Sequence, residues 1–190
     1  MESDKDLTTS PQENESLLTE RVSLLEKRLD EALMVLTDTY RYGKLRELLA
    51  ADKWKEADLE TTKVMIEISG KADLDEITPE DLQKFPCNAI MVIDQLWKKY
   101  SNNRFGFSVQ LRLYQSFGGN MDSIRAQNNE FLHRTAEKIG WRKNGKRVDY
   151  DDFDFSLDAS EGGLPGNWWK SPYGSKMVNF FLGRLIACEL

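Results

Sequence analysis

The first part of the chain carries apolar residues at alternating four- and three-residue spacings. Between Ser16 and Tyr40 the repeating positions are Leu18, Val22, Leu25, Leu29, Ala32, Leu36 and Thr39. This heptad spacing is typical of a coiled-coil seam. Leu33, Met34 and Val35 broaden the apolar stripe, so a helix that docks on its own domain stays an alternative to self-association. Residues 1–15 are polar and predict a disordered tail.

The pattern after the heptads predicts a series of shorter helices. Gly43 is expected to end the first helix, and helical spacing from Leu45 to Ile68 predicts an antiparallel helix pair that ends near Gly70. Thr78-Pro79 predicts a helix start, because a hydroxyl N-cap precedes proline at the first helical position. A largely apolar helix is expected to end at Tyr100.

The second half of the chain continues in the same way. It predicts a short helix after Gln110, a helix from Asp122 to Ile139, a tight turn at Asn144-Gly145 and a closing helix from about Ser175. The predicted fold class is all-α. We expect a single helical domain over residues 41–190 with a cupped ligand groove, preceded by a short coiled-coil helix over residues 16–40.

Two segments rich in aromatic residues differ from this helical pattern. Phe105 and Phe107 flank Gly106, and this arrangement predicts either a buried turn between helices or one wall of a pocket. The segment from Asp151 to Tyr173 is rich in glycine and aromatic residues but lacks periodicity. A long loop with so many apolar side chains either folds back on its domain or covers a ligand.

Composition and charge narrow the classes of function. With 190 residues and 40% hydrophobic content, the chain can bury a core, and it has no apolar run of the roughly 18 residues that a membrane helix needs. A net charge of −6 argues against a nucleic-acid partner. The acidic start resembles neither a signal peptide nor a transit peptide, which predicts synthesis and residence in one compartment. Cys87 and Cys188 are expected to be unpaired apolar groups in a reducing compartment.

The chemistry-bearing residues favour binding over catalysis. The chain has no phosphate-binding glycine loop, no cysteine pair at metal spacing and no recognisable catalytic triad. His133, the sole histidine, is interpreted as a hydrogen-bonded surface or core residue rather than an iron ligand, and the acids between Asp149 and Asp158 as a solvated face. Basic residues lie near the aromatic loops and suit a flat apolar ligand with carboxylates: Arg104, Arg142, Lys143, Lys146, Arg147 and Lys170.

An ordered set of motifs resembles the genomes-uncoupled-four family. The resemblance covers the chain from about Tyr40 to the C-terminus. It is carried by Leu45 to Ala51, Trp54, Ala57-Asp58, Phe85-Pro86, Ile93-Asp94 with Leu96-Trp97, Tyr100-Ser101, Arg104 to Gln110, Gly140-Trp141, Tyr150, Phe153 to Leu157 and Gly163-Leu164-Pro165. The seven residues from Arg104 to Gln110 are the most distinctive part.

The resemblance implies a non-catalytic regulator of magnesium chelatase in chlorophyll biosynthesis. Members of this family have an all-helical fold with a groove for protoporphyrin IX or magnesium-protoporphyrin IX, and some bind linear bilins. The implied partner is the large porphyrin-binding subunit of the chelatase, beside a homo-oligomer through residues 16–40. Peripheral contact of the protein with a membrane is kept as an alternative, without a membrane-spanning segment. The implied location is the plastid stroma, for a plastid-encoded protein, or the cyanobacterial cytoplasm.

Transfer by motif gives a set of candidate contacts for the pigment. They are Ile77, Phe85, Trp141, Arg142, Arg147, Tyr150, Phe153, Phe155, Leu157, Leu164 and Pro165. Two positions depart from the family pattern, since Gly163 stands where histidine is expected and Gly166 where a basic residue is expected. These departures support the alternatives of a bilin-binding paralogue, or of an interaction or scaffold protein that has lost the pigment site.

Overall fold

The structure is a computed structural model that describes residues 11–190. Over this range it contains eight α-helices and a small hairpin. The helices are α1 (Pro11–Ala50), α2 (Trp54–Ser69), α3 (Pro79–Gln83), α4 (Cys87–Tyr100), α5 (Phe107–Ser116), α6 (Met121–Arg125), α7 (Glu130–Lys138) and α8 (Ser175–Ala187). Antiparallel strands β1 (Arg142–Lys143) and β2 (Lys146–Arg147) form the hairpin. Short 3₁₀ turns cover Leu74–Glu76, Tyr150–Asp152 and Asn167–Lys170.

The chain divides into two units, one that ends at Arg41 and one from Tyr42 to Leu190. The boundary falls inside α1, which continues through Gly43. The expected break at Gly43 is therefore wrong. α1 already begins at Pro11, inside the tail that was expected to be disordered, while the rest of that tail, residues 1–10, lies outside the described residues. No helix in the described range is long and apolar enough to cross a membrane.

Local signals explain several of the helix ends in the second unit. α2 ends at Gly70 with a φ of 65°, the left-handed conformation that glycine favours. α3 begins with a capping box, in which the Thr78 side chain accepts from the Asp81 N–H and the Asp81 side chain accepts from the Thr78 N–H. The positive φ of Asn144 and Gly145, 53° and 75°, forms the predicted hairpin turn.

The helix predicted from Asp122 to Ile139 is divided into α6 and α7. Gln127 has a positive φ of 50°, and the Asn128 side chain accepts the Glu130 N–H at 3.0 Å. Such a local side-chain bond offers the backbone an alternative to the helical ladder. The apolar spacing therefore predicted helical structure correctly, but the prediction of one continuous helix is wrong.

An aromatic core fixes the second unit. The indole of Trp97 packs on Trp54 and on the edge of Phe105, with ring centroids 6.1 and 6.3 Å away, and its Nε1 donates to the Thr61 hydroxyl at 2.9 Å. Phe107 packs edge-on against Phe181 of α8, with the centroids 5.0 Å apart. Phe105 and Phe107 are thus both buried, in agreement with the first of the two interpretations, a buried turn between helices. We call the motif from Arg104 to Gln110 the central motif.

The two cysteines form a disulfide, which corrects the expectation that they are unpaired. Cys87 is the first residue of α4, and Cys188 is the C-cap of α8. α8 packs on α3, and Arg184 Nε donates to the Phe85 carbonyl at 2.7 Å. These contacts bring the two cysteine Cα atoms to 5.4 Å, across 101 positions of sequence. The cysteines therefore give no support to a reducing compartment.

Candidate ligand-binding site

The most distinctive sequence motif holds the late loop, which we define as residues 157–170. Arg104 donates through Nε to the Leu157 carbonyl at 2.9 Å and through Nη2 to the Ala159 carbonyl at 2.8 Å. Gln110 Nε2 donates to the carbonyls of Gly162 and Pro165, at 3.1 and 2.9 Å. Residues at both ends of the motif thus fix the loop backbone.

Backbone hydrogen bonds complete the same attachment. The Gly106 N–H donates to the Leu164 carbonyl at 3.0 Å, and the Gly162 N–H donates to the Arg104 carbonyl at 2.8 Å. Asp94 of α4 holds the motif itself, since its Oδ1 accepts the Ser108 N–H at 2.8 Å. The motif therefore acts as a cradle for the late loop.

A buried carboxylate on α2 fixes the other side of the late loop. Asp58 is fully buried, and its two oxygens accept the N–H groups of Gly166 and Asn167 at 2.9 to 3.2 Å. Burial raises the pKa of Asp58 to about 6, although these two N–H groups, Tyr150 and Lys170 act in the opposite direction. The loop is thus clamped between α2 and the central motif.

Asp58 is the main residue that the interpretation of the sequence missed. It was quoted as part of the family resemblance but was given no role. The helical spacing of the sequence could have identified it, because Asp58 lies on the same side of α2 as the buried residues Trp54, Thr61 and Met65. An acid in line with a buried stripe requires a partner, because an unpaired buried charge is strongly unfavourable.

The clamped loop supports a cluster of aromatic side chains, which we call the aromatic cluster. Its members are Trp141, Tyr150, Phe153, Phe155, Trp168 and Trp169. Neighbouring rings in this cluster have their centroids 4.9 to 6.5 Å apart. Trp141 is tied to the loop by an Nε1 bond of 2.7 Å to the Gly163 carbonyl.

Two cavities lie against the aromatic cluster. One, of about 310 Å³, is lined by Trp141, Arg142 and Gly163 among others. The other, of about 250 Å³, is lined by Arg147, Tyr150 and Lys170 among others. Val148 and Phe153 line both, so these two side chains stand between the cavities. We call the two cavities together the cleft.

Cations surround the second cavity. Lys170 Nζ lies 4.5 Å from the centroid of the Tyr150 ring, and the Arg147 guanidinium lies 5.6 Å from that of Trp169. Lys55 Nζ lies 5.3 Å from the Phe155 centroid and pairs with the exposed Asp151 at 2.9 Å. Burial lowers the pKa of Arg147. The edge of the cleft is therefore both aromatic and cationic.

Buried donors on residues that line the cleft lack partners among the described residues. They are Arg142 Nε and Trp169 Nε1. The Tyr150 hydroxyl is also buried, but it interacts with Asp58; burial and this neighbouring carboxyl raise the pKa of Tyr150. Unpaired buried donors are costly, and a ligand that brings acceptors would satisfy them.

The candidate contacts separate into two groups. Trp141, Arg142, Arg147, Tyr150 and Phe153 line the cleft, and Phe155 packs on Tyr150 with its centroid 5.2 Å away. The remaining candidates lie elsewhere: Ile77, Phe85 and Leu164 are core residues with 1%, 2% and 1% exposure, Pro165 is buried, and Leu157 is 37% exposed.

Gly163 and Gly166 are required by the packing of the late loop. A Cβ on Gly163 would lie 2.9 Å from the Ser160 carbonyl oxygen. A Cβ on Gly166 would lie 2.7 Å from Phe153 Cε2 and 3.0 Å from Trp141 Nε1. Side chains at either position would collide with their neighbours. The histidine and the basic residue that were expected there have no room in this loop.

The fold and the cleft together define an all-helical protein with an aromatic, cation-edged cleft suited to a flat apolar ligand. A family model described as GUN4-like matches residues 36–177. The chain therefore belongs to the GUN4-like family, the genomes-uncoupled-four family indicated by its motifs.

Individual relatives agree with this assignment. The chain is 36% identical to a chloroplastic tetrapyrrole-binding protein of Arabidopsis thaliana over 38% of this chain and 28% of that protein. It is 30% identical to a Ycf53-like protein of Synechocystis over 65% of this chain and 50% of that protein. The chain thus spans half or less of the length of these relatives.

Solved structures share the fold. The ligand-free structure of Arabidopsis thaliana GUN4 matches with a TM-score of 0.59 and 24% identity, over 74% of this chain and 93% of that one. GUN4 from Chlamydomonas reinhardtii matches with a TM-score of 0.55 and 26% identity, over 75% and 87%. The all-α fold class predicted from the sequence is confirmed.

Proposed function

We propose that the chain is a non-catalytic protein that binds a tetrapyrrole in the cleft and stimulates magnesium chelatase. The observation that carries this proposal is the pair of buried, unpaired donors on residues of the cleft wall, Arg142 Nε and Trp169 Nε1, beside the aromatic cluster. A tetrapyrrole offers a flat apolar ring and carboxylate acceptors, which match such a lining. The Arabidopsis relative is itself named a tetrapyrrole-binding protein.

Protoporphyrin IX or magnesium-protoporphyrin IX is the proposed ligand, with its propionates at the cationic edge. Arg147 and Lys170 lie on the wall of the second cavity and are the proposed carboxylate partners. They take the place of the basic residue that Gly166 excludes. Because Phe153 separates the two cavities, we propose that its side chain moves when the ring enters.

The proposed partner is the large porphyrin-binding subunit of magnesium chelatase, and the proposed location is a plastid stroma or a cyanobacterial cytoplasm. The chloroplastic relative of Arabidopsis thaliana and the Ycf53-like relative of Synechocystis support this location. A protein that holds the pigment in two conformations can report its supply, provided that the partner prefers one of them.

A bilin-binding protein is the second candidate. The observation that favours it is the position of Val148 and Phe153 between the two cavities, which divides the cleft. A linear tetrapyrrole can bend around this obstacle, whereas a closed ring needs the cavities to join. A scaffold protein that binds no pigment is the remaining alternative.

Ligand titration tests the proposal. Protoporphyrin IX, its magnesium form and biliverdin are each added to the purified chain while tryptophan emission is followed. We expect saturable quenching by the porphyrins, because Trp141 and Trp169 line the cleft. Quenching by biliverdin alone would favour the bilin candidate, and none with any ligand would favour the scaffold.

Matched charge variants locate the site. Lys170→Gln is expected to weaken porphyrin binding about fivefold, the effect of about 1 kcal/mol for a partly solvated ion pair. Lys146→Gln removes an exposed cation that lines neither cavity and should have no effect. Equal effects of the two variants would contradict the proposed position of the propionates. Stimulation of reconstituted magnesium chelatase should fall in parallel with binding.

A further inference from the structure

The first unit presents an exposed apolar stripe on α1. Leu18, Val22, Leu25 and Leu29 are 51% to 61% exposed. In heptad notation they occupy alternating d and a positions. A stripe of large apolar side chains at this spacing indicates a surface that another helix covers.

The residue types on the stripe favour a parallel pair of helices. Val22 at one a position with Leu18 and Leu25 at d positions is a combination that favours two-stranded parallel coiled coils, whereas the second a position holds Leu29, which is not β-branched. A β-branched side chain at an a position and leucine at d positions fit the holes of a parallel dimer. The occupant indicated by this pattern is a second copy of the same helix.

Charges beside the stripe point to the same arrangement. Arg21 is at a g position and Glu26 at the following e position. In a parallel dimer, Arg21 of one copy faces Glu26 of the other, and the pair occurs twice. An antiparallel alignment of the same stripe would place Arg21 opposite Arg28, which is repulsive.

The charge of the first unit disfavours a membrane surface as the occupant. Residues 11–41 carry seven acidic and four basic side chains, a net charge of −3. Helices that lie on anionic membranes have polar faces rich in lysine and arginine. We propose that α1 dimerises as a parallel coiled coil with a second copy of this chain, through Leu18, Val22, Leu25 and Leu29.

This self-association is independent of the tetrapyrrole proposal, which concerns the second unit alone. A dimer would carry two copies of that unit. Any partner with two matching sites would then bind with higher avidity than a single copy allows, since the second binding event becomes intramolecular.

Sedimentation equilibrium of the full chain tests the proposal. The wild-type mass should rise with concentration from 22.0 kDa to twice that value. Leu25→Asp places a carboxylate in the seam and should weaken the dimer by at least roughly tenfold. Leu24→Asp is the matched control, because Leu24 is 52% exposed but lies off the seam, and the dimer should persist.

A charge-swap cycle tests the parallel orientation. Arg21→Glu and Glu26→Arg should each weaken the dimer roughly threefold, and the double variant should recover the wild-type affinity. A wild-type chain that stays at 22.0 kDa at all concentrations would overturn the proposal and leave the stripe to its own domain or to a different protein. Equal losses in Leu24→Asp and Leu25→Asp, or no recovery in the double variant, would also overturn it.

Discussion

Asp58→Asn removes the titratable group that clamps the late loop while keeping a side chain of the same shape. The asparagine oxygen can still accept an N–H from Gly166 or Asn167, but its amide group cannot. This mismatch lowers the stability of the variant by an amount that does not depend on pH. The proton that Asp58 binds gives a separate, pH-dependent contribution.

The sign and size of that contribution follow from the pKa of Asp58. The pKa is about 6 in the folded protein against 3.8 for an unperturbed aspartate. Because the folded value is raised, the stabilisation from proton uptake is fully present below pH 3.8 and is lost as the pH rises through 6. The shift of about two pKa units corresponds to about 3 kcal/mol in total, of which about 1 kcal/mol separates pH 5 from pH 8.

Urea denaturation of both proteins at pH 5 and pH 8 measures this contribution. The advantage of wild type over Asp58→Asn in free energy of unfolding should be about 1 kcal/mol larger at pH 5. Other carboxyls also titrate, but they are present in both proteins and cancel in the difference.

Asp151→Asn serves as the control for this double difference. Asp151 is exposed and paired with Lys55, which lowers its pKa below 3.8, so its ionisation is complete at both pH values. Its stability difference from wild type should not change between pH 5 and pH 8. A wild-type advantage over Asp58→Asn that is equal at the two pH values, or larger at pH 8, would refute the assignment of a raised pKa to Asp58.

Two further predictions concern packing and covalent structure. Gly166→Ala should lower the free energy of unfolding by about 1 to 3 kcal/mol, because its Cβ would press on Phe153 and Trp141; an unchanged urea midpoint would contradict this packing. Reduction of the bond between Cys87 and Cys188 with dithiothreitol should cost about 2 to 4 kcal/mol, because the bond closes a long loop of the unfolded chain. Denaturation curves that coincide with and without reductant would count against it.

Short-range signals in the sequence predicted local structure well. The start of α3 at Thr78-Pro79 and the turn at Asn144-Gly145 depend on a few adjacent residues, and both appear as expected. Gly43 was misjudged because its cost in a helix, about 1 kcal/mol, is small beside the burial of neighbours such as Tyr42 and Leu45.

The parts of the site that were missed depend on contacts between distant segments. The Asp58 carboxylate meets backbone N–H groups more than a hundred positions later, and no local pattern encodes that meeting. The pairing of Cys87 with Cys188 could not be predicted for the same reason, since the two residues are 101 positions apart. By contrast, the family motifs and the aromatic density of the late segment made Trp141, Tyr150 and Phe153 candidates from the sequence alone, and these three residues line the cleft.

The cradle formed by Arg104 to Gln110 has a consequence for how relatives of this chain diverge. Its side chains bind mainly loop backbone, through carbonyls such as those of Leu157 and Pro165, so side chains of the loop can change, outside the closely packed Gly163 and Gly166, while its path is retained. The cleft is lined by other residues, such as Arg147 and Phe153. The lining of the cleft can therefore change by substitution without a change in the cradle, and proteins with an identical cradle can differ in the ligand that their cleft accepts.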